Sequence, residues 1–178
     1  SELVQVVANA IGRRQDQLIL DALLAAKGST VAAGGTDLTV AKLRDAKKTL
    51  DSNNVPAEDR HIVLHANNLA SLLSETAVTS ADFNTVRALV SGELNTFLGF
   101  TFHTIGDRAE GGVSIDGSSV RSCLAFHKSA IGYGEGIGPK TEINYVPEKT
   151  SHLVNAMLSA CSVGIDSEGI VEVLADES

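Results

Sequence analysis

Histidine, cysteine and paired carboxylates are the side chains from which a metal or proton-transfer site is built. This 178-residue chain holds five histidines and two cysteines. His61 and His65 stand four apart, the spacing at which a helix can present two metal ligands together. Between them, however, Ile62-Val63-Leu64 is strand-like, and no glutamate completes a His-Glu-x-x-His arrangement. In a strand the two rings point to the same side about 13 Å apart, too far to share one ion. His103, His127 and His152 have no carboxylate or cysteine at ligand spacing, and each is expected as a strand or interface residue. Cys123 and Cys161 lie far apart between small or apolar neighbours. They are expected as buried free thiols in a reducing compartment, not as a disulfide or a metal site.

The run Gly132-Tyr133-Gly134-Glu135-Gly136-Ile137-Gly138-Pro139-Lys140-Thr141 resembles a phosphate loop at first sight. No glycine directly precedes Lys140-Thr141, and Pro139 removes a backbone donor that such a loop needs. The alternating glycines do not fit a dinucleotide fingerprint either, because no long helix follows. They are expected to form a tight backbone crossing or a flexible loop. No Gly-x-Ser-x-Gly elbow occurs, and no two acids form a local acid/base pair. The expectation is a protein without catalytic, cofactor-binding or metal-ligating residues, and not an enzyme.

Composition narrows the classes further. Apolar residues at 43% and charged residues at 20% are those of a globular protein of one domain or two small lobes. The apolar runs fall far short of the ~18 residues of a membrane helix, so no membrane partner is expected. No basic region followed by an apolar one opens the chain, and the first residue is Ser1, which suggests a processed or shortened product. A net charge of −8 argues against a large basic nucleic-acid footprint. Arg13-Arg14 and Lys47-Lys48 are pairs of the size that any solvated helix face carries.

The elements that would position these residues follow from periodicity. Residues 2 to about 26 predict one long helix, with Val4, Val7, Ile11, Leu18 and Ala25 at heptad-like spacing and Gly28 as its stop. Such a helix is roughly 38 Å long, against a radius of gyration of about 16 Å for a compact chain of this length. It is expected to run along an elongated body as a spine. Gly28 to Thr36 predicts a flexible connector. Asp37 or Thr36 is expected to cap a second helix carrying Val40, Leu43 and Leu50. His61–His65 predicts a short strand, and Asn67 or Asn68 the cap of a short helix through Leu69, Leu72 and Leu73. Ser80 is expected to cap another helix with Phe83, Val86 and Leu89.

Gly106 to Ser119 predicts an exposed loop, Val120–Phe126 a strand, His127–Gly132 a helical turn and Lys140–Val146 a strand. Thr150 to Ile165 fits either a helix or a strand, and its β-branched end with its sheet-like flanks favours a strand. Gly169–Leu174 predicts a last strand. Helices early and strands late make the class α+β. Phe97, Phe100 and Phe102 are three of the five phenylalanines in a chain without tryptophan. They mark the expected core, where two layers are pinned together. Gly99 is expected to serve a strand entry or a close backbone approach.

Leu89-Val90-Ser91-Gly92-Glu93, then Phe97-Leu98-Gly99-Phe100 and a strand, resembles a segment of the major capsid proteins of tailed bacteriophages with the Hong Kong 97-like shell fold. The order of elements extends the resemblance over essentially the whole chain. Leu3–Ala26 resembles the family's spine helix, and Leu38–Asn54 and Arg60–Ser74 resemble the helix, strand and helix of its axial domain. Val120–Gly136 resembles its return strand, and Lys140–Val173 the terminal strands that come back to the peripheral domain.

The resemblance implies an α+β Hong Kong 97-like fold: a long spine helix plus an axial-domain sheet flanked by helices. Residues 1–36 and 140–178 would form the peripheral domain and 37–139 the axial domain. The family's N-terminal arm and extended loop are expected to be missing from this chain. The implied function is a structural one, a major capsid subunit that self-assembles into hexamers and pentamers of an icosahedral shell around phage DNA. The implied partners are further copies of itself, then scaffolding, portal or decoration proteins, and packaged DNA held without sequence-specific binding. The implied place is the virion, after synthesis in the host bacterial cytoplasm. An encapsulin-type cellular compartment is the alternative within the fold, and a small hydrolase with an unrecognised site the alternative outside it.

Overall fold

The 25-residue helix α1 (Glu2–Ala26) follows the expected periodicity. The computed structural model describes residues 2–75, 96–106 and 112–178. The helix expected after Ser80, the Leu89–Glu93 part of the capsid-like pattern and part of the expected Gly106–Ser119 loop lie outside them. Among the described residues no helix is long and apolar enough to cross a membrane.

The other α-helices among the described residues are α2 (Val40–Ser52) and α3 (Ala66–Ser74). The strands are β1 (Ser29–Val31), β2 (Arg60–His65), β3 (Thr96–Phe97), β4 (Phe100–Ile105), β5 (Val120–His127), β6 (Ile131–Val146), β7 (Ser151–Gly164) and β8 (Ile170–Asp176). Six of them form one sheet in the order β1-β8-β5-β2-β4-β3, and β6 and β7 form a separate two-stranded sheet. In the larger sheet β1 runs parallel to β8 and β2 parallel to β4, while the other pairs are antiparallel. The expected connector from Gly28 to Thr36 therefore contains a strand, β1, too short for alternation to reveal.

The six-stranded sheet is covered on both faces, which is why β2, β5 and β8 read as nearly continuous apolar runs rather than alternating ones. One face packs on α2 and α3 through Leu43, Ala46, Leu50 and Leu72 against Ile62, Leu64, Phe100, Ala125 and Val173. The other packs on α1 through Leu20 and Leu23 against Val63, Leu124, Phe126 and Ile170. Phe97, Phe100 and Phe102 are buried in the first cluster, as expected. Gly99 stands at the entry to β4, the first of the two expected roles. It turns with Leu98 between β3 and β4, at φ +86° and +53° respectively, and no atom crowds its missing Cβ.

Two helix caps differ from expectation. Thr39, not Asp37 or Thr36, accepts the Lys42 N–H at the start of α2. His65, not Asn67 or Asn68, caps α3: its ring Nδ1 accepts the Asn67 N–H at 3.2 Å, and the Asn68 side chain returns to the His65 N–H. Asp37 lies nearby and accepts from the Leu38 N–H, Asn68 and Ser71, binding the entry of α2 to α3.

Candidate functional site

The residues expected to lack chemistry are placed one by one. His61 and His65 both lie on β2, as expected, and His65 is buried as a cap. His61 has a partner that its sequence neighbours do not reveal. Its Nδ1 lies 3.1 Å from Nε2 of His103, which β4 brings alongside. His127 ends β5 and accepts the Ser129 N–H at 3.2 Å, capping a short 3-10 turn, Lys128–Ala130. His152 stacks near Tyr145 in the hairpin, with ring centroids 5.3 Å apart. Among the described residues no three of histidine, cysteine, aspartate and glutamate converge on a metal position.

Cys123 is buried, as expected, and burial together with the Asp37 carboxylate pushes its thiol up to about 12. Cys161 is exposed, contrary to expectation. It lies on the side of β7 turned away from α1, where small apolar neighbours do not imply cover. The glycine run is corrected as well. Gly132 to Gly138 is neither a crossing nor a free loop but the first half of β6, a 16-residue strand. Its pairing with β7 shifts between Glu135 and Ile137 and again between Ile137 and Lys140, so the later glycines and Pro139 sit where the ladder is irregular.

Charged residues that the sequence reading passed over hold the larger sheet together. Arg121 is buried on β5; its Nε donates to Glu177 at 2.6 Å and its Nη1 to the Val113 carbonyl. Glu177 also accepts from Asn68 at 2.9 Å. The Arg121 hydrogen bond holds its carboxyl below the usual glutamate value, against the burial that would raise it. On β8 the buried Glu172 accepts from Lys27 at 2.6 Å and Thr30 at 3.0 Å, joining the end of α1 to β1 and β8. An arginine within the apolar run of β5 is the one signal that such a clamp exists.

The hairpin of β6 and β7 is arranged differently. Residues of β7 alternate: Val154, Ala156, Leu158 and Ala160 are half-buried on the α1 side, while Leu153, Met157, Cys161 and Val163 face away, exposed. At one end the helix and strand touch closely, since a Cβ on Gly164 would collide with the Cβ of Ala26. Further along they diverge around a cavity of about 650 Å³ lined by Val7, Ile11, Arg14, Leu18, Leu158 and Ala160. Gln15 links α1 to β6, donating to Tyr133 at 2.8 Å and Glu135 at 2.9 Å. Most of the large apolar side chains exposed among the described residues belong to this hairpin, including Ile137, Ile143, Tyr145 and Leu153 at 54–57% exposure. A soluble surface rarely concentrates so much apolar area without a use for it.

The family model described as "Phage capsid protein" matches residues 1–177. The chain belongs to that family. No curated protein matches the capsid chain by sequence. Among solved structures it is similar to a protein of Mycobacterium phage Che8, with a TM-score of 0.73 and 21% identity over 96% of this chain and 61% of that one. The head structure of the Helicobacter pylori bacteriophage KHP40 gives a TM-score of 0.72 at 12% identity, covering 99% of this chain and 68% of that one. The holo-SrpI encapsulin complex of Synechococcus elongatus gives 0.62 at 13% identity, covering 96% and 63%. At these identities the likeness establishes the fold, α+β and Hong Kong 97-like. The capsid chain spans about 61–68% of the length of these structural relatives.

Proposed function

We propose that the chain is a major capsid subunit that assembles with copies of itself into hexamers and pentamers of an icosahedral shell around phage DNA. The observation that carries this is the capsid family match over residues 1–177, on a fold with shell proteins for neighbours. The exposed apolar hairpin supports it, since heterologous contacts between unlike surfaces close into rings when the rotation permits. The role is structural, not catalytic. Shell partners would be scaffolding, portal or decoration proteins, and the acidic chain would enclose DNA without sequence-specific contacts. The subunit would be made in the host bacterial cytoplasm and end in the virion.

We propose residues 37–130 as the body of the axial lobe and α1 with the hairpin as the peripheral lobe, moving the boundary from 139 because β6 begins at Ile131. The pairing of β1 and β8 into the axial sheet supports adding residues 29–31 and 170–176 to that lobe. A compartment shell is the second reading, favoured by the encapsulin likeness. Expression in a bacterial host, followed by light scattering and negative-stain microscopy, tests both. Rings or closed particles support a shell; a monomer at every salt and protein concentration, or turnover of a substrate, would sink the reading. Purified particles that enclose a protein cargo would favour the compartment instead.

A further inference from the structure

On the α1 side of the six-stranded sheet, an imidazole from β2 meets one from β4. His61 on β2 and His103 on β4 approach with Nδ1 3.1 Å from Nε2 and ring centroids 5.2 Å apart. Such a contact is a hydrogen bond only if one nitrogen carries a proton and the other is bare. Two imidazolium rings have donors alone and repel. The pair borders the joint between α1 and the sheet. There a cavity of about 480 Å³ is lined by Asp16 and Ile19 of α1 together with Val63, His103 and Phe126 of the sheet.

We propose that the His61–His103 pair is a proton switch in the joint between the spine helix and the axial sheet. With one shared proton, the pair ties β2 to β4. With two, the tie is replaced by repulsion, and the β4 edge loosens beneath α1. The charges around the pair set its poise. Burial and His103 lower the His61 value, Lys128 and His127 push the same way, and Asp59 opposes them. Asp16 faces the cavity from α1, and burial raises its carboxyl, so it gives little compensation as the solution becomes acidic.

The sign follows from proton counting. The folded chain binds fewer protons here than the unfolded one. Stability is therefore complete above the ordinary histidine value of 6.5 and falls as pH drops through it. The proposal concerns the isolated chain and stands whether or not that chain builds a shell.

Ring-nitrogen NMR of the 178-residue chain between pH 8 and 4.5 tests it. The expected result is that the pair titrates in two steps. The His61 midpoint lies below that of the same ring in the urea-denatured chain, and His103→Gln raises it. The thermal midpoint of the wild type falls between pH 7.5 and 5.5, and that of His103→Gln falls less. A His61 midpoint equal to the denatured value, or unmoved by His103→Gln, would overturn the proposal. If His103→Gln does not fold, amide exchange of wild-type β4 decides. Protection lost with the second proton supports the switch, and protection unchanged across that step refutes it.

Discussion

β7 and β8 are joined by a short turn, yet they lie in opposite environments. Along β8, Ile170, Val171, Glu172, Val173 and Ala175 are all buried, and even the glutamate is paired inside. Along β7 no residue is fully buried, and exposed positions alternate with half-buried ones. Both strands are rich in small and apolar residues. The difference comes from what covers them: β8 lies under helices on both faces, whereas β7 has α1 on one face and solvent on the other. Folding free energy is thus concentrated in the six-stranded sheet. The hairpin keeps its apolar area available for contact with something else.

The most direct way to break this contrast is to cut into the sheet. Phe100→Ala removes a fully buried ring and is expected to cost about 3–5 kcal/mol in urea denaturation. A loss below about 1 kcal/mol would mean that the sheet is not the stable half.

Next in size is the clamp at Glu177. Glu177→Gln removes the charge to which buried Arg121 donates and is expected to cost about 2 kcal/mol at neutral pH. Because pairing lowers the Glu177 value, its contribution is complete above the ordinary 4.5 and is lost as pH falls through the lowered value. The variant should therefore show a shallower acid limb in a stability-versus-pH curve, and an unchanged limb would refute the role given to the clamp.

The smallest effect belongs to the hairpin. Met157→Ser and Ile143→Ser are expected to shift stability by no more than about 0.5 kcal/mol. If the hairpin face mediates assembly, the same substitutions reduce particle yield in light scattering. Variants that assemble as well as the wild type would assign the apolar face some other use.

These contrasts also explain which features were legible in the sequence. The long helix α1 and the strands β4, β5 and β8 declare themselves, because a covered sheet needs continuous apolar runs and a spine helix needs sustained periodicity. The aromatic cluster located the core. Strand β1 escaped because three residues carry no period, and its existence depends on β8, far away in sequence. The glycine run of β6 escaped because glycine disfavours a strand locally, and only pairing with β7 overrides that preference. Cys161 was misplaced because alternation shows which residues share a face but not which face is covered. The His61–His103 contact was invisible for a related reason. It joins residues 42 apart through a parallel strand pairing that neither local pattern specifies.

The strand order has a consequence for how the chain is made. β8 lies between β1 and β5, so β5 waits with one edge unpaired and β1, which pairs with β8 alone, waits with both. A ribosome delivers the whole β6–β7 hairpin before it delivers Ile170–Asp176. Until then the sheet ends at β5 and β1 stands apart from it, and joining them requires contacts across most of the chain's length. The axial sheet therefore completes only after β8 has emerged. A nascent subunit cannot present its finished surfaces to a neighbour while that strand is still inside the ribosome.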